Sequence, residues 1–236
     1  MAKTKFYNHF EYSVHGIGEG KYISITGFDN SISNPIVPSH IDGVPVRSIG
    51  YKAFNESSIT SIELPETLRK VKPEAFALCK SLTSIAFPDS VEEIGRMVCN
   101  CCISLETVRW SKSARVIPMD AFSVCFSLKN IENIENVIFI SEYAFHQTGL
   151  TSFNIPMKLE GLSSNAFSEC HNLKNVRMLH LPYIQKDVFK ESENVKIYCG
   201  SNAKVKEWSL KNGFPVVESK INTFLENINT DIERGE

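Results

Sequence analysis

The sequence predicts a solenoid: an α/β-type or mostly β chain wound into one right-handed coil of about seven turns, capped at both ends. Two observations predict it. Residues 49–91 say nearly the same thing twice, since Ile49, Ala53, Phe54, Ile59, Ile62 and Leu64 are answered by Val71, Ala75, Phe76, Leu82, Ile85 and Phe87. The second is that one column, Phe54, Phe76, Cys99, Phe122, Phe145, Phe167 and Phe189, recurs at intervals of 22 or 23 residues. Columns five and eight residues before this anchor stay apolar in step with it, apart from small Ala114. A unit of this length cannot bury its own apolar face, so neighbouring turns must stack.

Within each turn, a run such as residues 82–87 reads as a short strand with Ile85 and Phe87 inward and Ser84 and Ala86 outward. A second extended piece covers residues such as 91–94, and the segment around the anchor reads as a turn with room for one helical or 3₁₀ turn. Stacked turns place like strands side by side in parallel ladders. Two turns depart from the pattern. Turn three has Trp110 where Leu64, Phe87, Ile155 and Met178 stand elsewhere, and turn four has Asn133 there.

Four segments follow from this register. Residues 1–45 carry no repeat, and their alternating runs around HGIGEG read as a hairpin covering the first turn. The solenoid covers 46–198, and 199–218 form the far cap. There the expectation is a strand over 195–199, then a helix over 202–211 with Ser201 as N-cap and Gly213 as C-cap. Val205, Trp208 and Leu210 are the candidates for its inner face. Residues 219–236 form a tail, helical or disordered, with a thin apolar stripe including Phe224 and Leu225.

Composition narrows the function. A net charge of −2 and a pI near 6.3 give no footprint for nucleic acid. No apolar run reaches the roughly 20 residues of a membrane span. The start, MAKTKFYNHFEYSVHG, lacks the apolar core of a signal peptide, so the expectation is a cytoplasmic protein, or a secreted or surface one if a leader precedes it. Seven cysteines is an odd number. Four of them (Cys79, Cys102, Cys125 and Cys170) share one column three residues after the anchor and read as unpaired core fillers. The cluster Cys99, Cys101 and Cys102 has no second ligand pair at metal spacing. The six histidines fall in no catalytic spacing, and no phosphate-binding glycine loop or nucleophile motif occurs. The expectation is no enzyme, no cofactor and no metal.

The motif IGxxAFxxCxxLxxIxLPxxV, carried by IDGVPVRSIGYKAF, EAFALCKSLTSIAFPDSVEEIG and SNAFSECHNLKNVRM, resembles the BspA-like leucine-rich repeat proteins of treponemal and Bacteroides surfaces. The closing IYCGSNAKVKEWSLKNGF looks like that family's terminal cap, and the resemblance covers about residues 22 to 217. It implies a leucine-rich-repeat fold and a non-catalytic protein-interaction module. The alternatives are a bacterial cell-surface adhesin or host-protein-binding fragment, and an intracellular inhibitor or immunity-type protein.

Two outward surfaces are candidates for that interaction. On the first strand of each turn, Glu63, Arg109, Glu132, Asn154 and Arg177 form a polar strip beside Ser61, Ser84, Thr107, Asn130, Ser152 and Asn175. On the second extended segment the outward columns begin polar (Arg47, Ser48, Arg69, Lys70, Glu92, Glu93) and turn apolar, with Val116, Ile138, Phe139 and Tyr183 on neighbouring rungs. A protein partner, a second copy of the chain, or the folded-back tail would cover such a patch.

Overall fold

The structure, a computed structural model, describes residues 5–218 of the chain; the expected tail over 219–236 lies outside the described residues. It is a β-solenoid of about eight turns with parallel strand ladders and one helix near the C-terminus. The turn beyond the seven read from the anchors comes from the N-terminal cap. Strands β1 (Lys5–Tyr7), β2 (Phe10–His15) and β3 (Tyr22–Phe28) pair antiparallel in order. β3 then pairs in parallel with β5 (Val44–Ile49), which is itself braced by β4 (His40–Ile41). The hairpin therefore supplies a rung as well as a cover.

Three hydrogen-bonded ladders run along the coil. The first-strand ladder joins Ser84–Ala86, Thr107–Arg109 and Asn130–Glu132, stops, and resumes as Ser152–Asn154, Asn175–Arg177, Lys196–Tyr198 and Val216–Val217. The second-segment ladder continues β5 through Lys70–Val71 and Glu93–Ile94, stops, and resumes from Val116–Ile117 to Tyr183–Ile184. The third ladder replaces the expected helical turn at the anchor. Phe54, Phe76, Cys99, Phe122, Phe145 and Phe167 each donate their backbone N–H to the residue before the next anchor, at 2.8–2.9 Å. The residues two before and two after each anchor sit at left-handed φ, from Lys52 (55°) and Glu56 (61°) to Asp187 (58°) and Glu191 (59°). Without glycine such a conformation costs about 1 kcal/mol or more. Each pair of bends lets alternate N–H groups face the next turn, and those bonds, worth about 1 kcal/mol each, offset the cost.

The interrupted rungs coincide with the departures in sequence. Asn133 stands at φ 62° where other turns extend an apolar residue, which ends the strand Asn130–Glu132. Ile134 packs partly against the core in its place. The next turn is one residue shorter between anchor and leucine column, and Gly149 closes the gap. A Cβ on Gly149 would overlap the carbonyl of Phe126 in the turn below, so glycine is required there.

The core is an aromatic column. Phe54 stacks on Phe76 at 5.2 Å, and Phe122, Phe145, Phe167 and Phe189 follow at 5.6, 5.0 and 5.6 Å. At turn three, where the anchor is Cys99, the contact path detours from Phe76 through Phe87 and Trp110 to Phe122. Trp110 is fully buried, with its indole N–H donating to the Ala114 carbonyl at 2.9 Å. The irregular tryptophan thus fills the volume that the irregular cysteine leaves. Phe10 and Phe28 close one end over Phe54, and Phe214, stacked on Trp208, closes the other under Phe189.

The four-cysteine column is more than filler. Cys79, Cys102, Cys125 and Cys170 point their thiols at the carbonyls of Phe54, Phe76, Cys99 and Phe145 one turn back, at 3.0–3.1 Å. Ser192 makes the same bond to Phe167 with its hydroxyl at 2.7 Å. All seven cysteines are free thiols. Burial pushes the Cys99, Cys125 and Cys170 thiols above their ordinary range.

Helix α1 (Ala203–Lys211) forms the far cap and corrects three expectations. Its N-cap is Asn202, whose side-chain oxygen accepts from the Val205 N–H at 3.1 Å, and not Ser201. The C-cap is Asn212, and Gly213 follows it at φ 80°. The N–H groups of Gly213 and Phe214 return to the carbonyls of Leu210 and Ser209, closing a Schellman motif. Leu210 is 58% exposed, and buried Ser209 takes the inward place instead, its hydroxyl spent on the Val205 carbonyl. Val205 and Trp208 pack on the core as expected. Leu181, expected inside, is exposed in the last full turn.

Three measurements check this packing. Phe122→Ala should lower stability by about 3–5 kcal/mol, whereas Lys129→Ala on the surface should leave the denaturation midpoint unchanged. In a double-mutant cycle, Cys99→Phe and Trp110→Leu should each destabilise the fold, with the pair costing less than their sum by at least about 1 kcal/mol; simple additivity would rule out the exchange of volume. For the native protein, a thiol reagent should reach half-buried Cys101 first, and the four column thiols should react only on denaturation.

Candidate protein-interaction surface

The polar strip is divided. Glu63 is held in an isolated bridge with Ile36 at the N-terminal edge. Arg109 and Glu132 stand on paired rungs, but Arg109 is spent within the chain, on Asp89 at 3.0 Å and the Phe87 carbonyl at 3.3 Å. Glu132 accepts from Asn130 at 3.0 Å. Asn154 and Arg177 pair beyond the interrupted rung, next to Tyr198. Asn175, expected outward, is buried under this second part. The strip is therefore two short surfaces, and Arg109 is already satisfied.

The second-segment face is continuous where the apolar residues stand. Val116, Phe139, Gly161 and Tyr183 are direct neighbours on four parallel rungs. Val116 is 42%, Phe139 37% and Tyr183 71% exposed. Gly161 interrupts the row for a packing reason: the Phe139 ring lies over it, where a Cβ would collide with the ring. Ile138 sits beside this column, half-buried, between Arg115 and Glu160. At the other end the expected outward Ser48 is buried between the rungs of Ser24 and Lys70, and Lys70 pairs with Glu93. The expected cover by Phe224 and Leu225 lies outside the described residues.

One group brings together the side chains of a hydrolase. His146 Nδ1 is 2.9 Å from Ser168 Oγ, and its Nε2 is 4.0 Å from Glu169. The serine is buried, however, and its hydroxyl donates to the Asn165 carbonyl at 3.0 Å. The ring also lies edge-on to Tyr143. A nucleophile must be reachable by its substrate, and here the hydroxyl braces a turn. Cys170 is buried while the adjacent His171 is exposed, so they form no dyad. Among the described residues no group of three acidic, histidine or cysteine side chains could hold a metal ion, and no helix is long and apolar enough to cross a membrane.

Sequence reading missed two features: the left-handed bends around the anchor and the donor role of the cysteine column. The bends carry no glycine signature. The donor role has one, because Ser57, Thr148 and Ser192 share the cysteine column and are small donors like it, and Ser192 repeats the bond to the carbonyl one turn back.

The sequence profile of the BspA-type leucine-rich repeat region matches residues 47–174 and 139–231, in six copies. No curated protein matches the chain. Among solved structures, the T. pallidum leucine-rich repeat protein TpLRR is similar at 23% identity and a TM-score of 0.57, over 92% of this chain and 99% of that one. A leucine-rich cell surface protein from Faecalibacterium prausnitzii is similar at 16% identity and a TM-score of 0.52, over 95% and 97%. A leucine-rich repeat protein from Eubacterium ventriosum gives 17% and 0.54, over 72% of this chain and 47% of that one. At these identities the structures speak for the fold alone, and the profile, the period and the stacked anchors agree: the chain belongs to the BspA-type leucine-rich repeat family.

Proposed function

We propose that the chain is a non-catalytic protein-binding module that presents the apolar column of its second ladder to a protein partner. The observation that carries this reading is the exposure of Val116, Phe139 and Tyr183 on a rigid set of parallel rungs. Contiguous exposed apolar surface marks interaction sites, and aromatic side chains anchor them. The rungs are fixed by main-chain hydrogen bonds, so binding would cost little ordering of the backbone. The polar strip belongs to the other ladder and takes no part in this surface, and its arginine at 109 is already paired inside the chain.

The site of action we propose is the cytoplasm, supported by seven free thiols, four of them stacked along the core. The cell-surface reading is supported by the F. prausnitzii relative, named as a cell surface protein. Fractionation of the native organism with an antibody to the chain separates the two: recovery on the intact cell surface would overturn the cytoplasmic assignment.

Binding is tested with a photo-cross-linking amino acid placed at Tyr183 and, as a control, at Ser84 on the opposite ladder. Illumination in cells should give cross-linked protein adducts from position 183 and few from position 84. Equal yields, or none from position 183, would sink the assignment of this face.

A further inference from the structure

Charge decides which occupant fits the apolar column. Two exposed charges flank Ile138 along the coil, Arg115 one rung before it and Glu160 one rung after. Backbone bonds fix that order, with Ile138 donating to the Arg115 carbonyl and Glu160 donating to that of Ile138, both at 2.8 Å. Neither side chain pairs with another described residue. Phe139 sits on the middle rung, flanked by Val116 before and Gly161 after. The face is thus arranged about one rung: positive charge and a side chain on one side, negative charge and a glycine on the other.

Resting on the protein-binding reading above, we propose that the partner on this face is a second copy of the chain. The two copies pack face to face about a two-fold axis that runs parallel to the strands through the Phe139 rung. Such a rotation keeps the strands aligned and reverses the order of the rungs. Arg115 of each copy then faces Glu160 of the other, giving two equivalent ion pairs at the rim. Each Phe139 ring, which lies over its own Gly161, then faces Val116 of the other copy, and Tyr183 stands at the edge of the contact. An isologous contact requires this self-complementarity, because one patch must serve as both halves of the interface. A two-fold axis along the coil would instead set the charged column against the apolar one and leave Arg115 and Glu160 unpaired. A different protein would have to supply both opposite charges at the same spacing; a second copy supplies them by symmetry.

Sedimentation equilibrium of the full chain tests this. The wild-type protein should dimerise reversibly, more weakly as salt is raised, because the rim pairs are exposed to solvent. Phe139→Glu should leave it monomeric. Arg115→Glu and Glu160→Arg should each weaken the dimer by at least about tenfold, since each sets two like charges face to face. An equimolar mixture of those two variants should recover association as a one-to-one heterodimer, because both contacts then join opposite charges. Melting temperatures of the charge variants equal to that of the wild type, measured at dilution where all are monomeric, would establish that the effect is on the interface. A wild-type chain that stays monomeric at every concentration overturns the proposal, as does a mixture that associates no better than either variant alone. If the chain is monomeric while the cross-linker at position 183 still captures a different protein, self-association falls and the protein-binding reading stands.

Discussion

Each turn of this coil is tied to the next at its anchor, where a backbone N–H reaches the carbonyl just before the following anchor. These bonds continue past both places where a strand ladder stops. Everything else in the turn is arranged so that they can form. The residues two before and two after the anchor bend to left-handed φ to present alternate N–H groups, even Val124, whose branched Cβ makes φ 63° expensive. The anchor ring is then held inside, above and below its neighbours, and the thiol or hydroxyl three residues later takes up an anchor carbonyl. Strand rungs can be lost one at a time because this third ladder keeps the turns in register.

The irregular turns show how much variation that constraint tolerates. Cys99 keeps the anchor's backbone bonds while giving up its ring, and Trp110 restores the ring from another column of the same turn. The core asks for a filled volume at each level, not for a particular residue at a particular position. The caps follow the same logic, with Phe10 and Phe28 at one end and Trp208 and Phe214 at the other continuing the aromatic column beyond the repeats.

The fold was legible because apolar periodicity reports which side chains face the core, and a period of 22 or 23 residues leaves few architectures open. Backbone conformation at polar surface positions was not legible, since Lys52, Glu74 and Asp120 carry no sign that their φ is positive. The helix cap was misplaced by one residue because Ser201 and Asn202 are both good caps in sequence, and only the geometry shows which oxygen reaches Val205. Leu210 was placed inward by hydrophobicity, but Val205 and Ser209, four apart, hold that face. The apolar patch was legible as a failure of alternation at Val116, Ile138, Phe139 and Tyr183. The condition of the polar strip was not, because the pairing of Arg109 with Asp89 joins residues 20 apart in the chain.

The direction of the inter-turn bonds has a mechanical consequence. They lie along the coil axis, so a pull on the two ends loads successive turns in series. Each turn is held only by its neighbours, and it can come away without disturbing the rest. A released turn of 22 or 23 residues lengthens the chain by roughly 70–80 Å. The first to part would be those at the two interrupted rungs, one in each strand ladder. Under tension the molecule would behave as a stepwise extensible tether whose yield points were set by Asn133 and by the turn of Trp110.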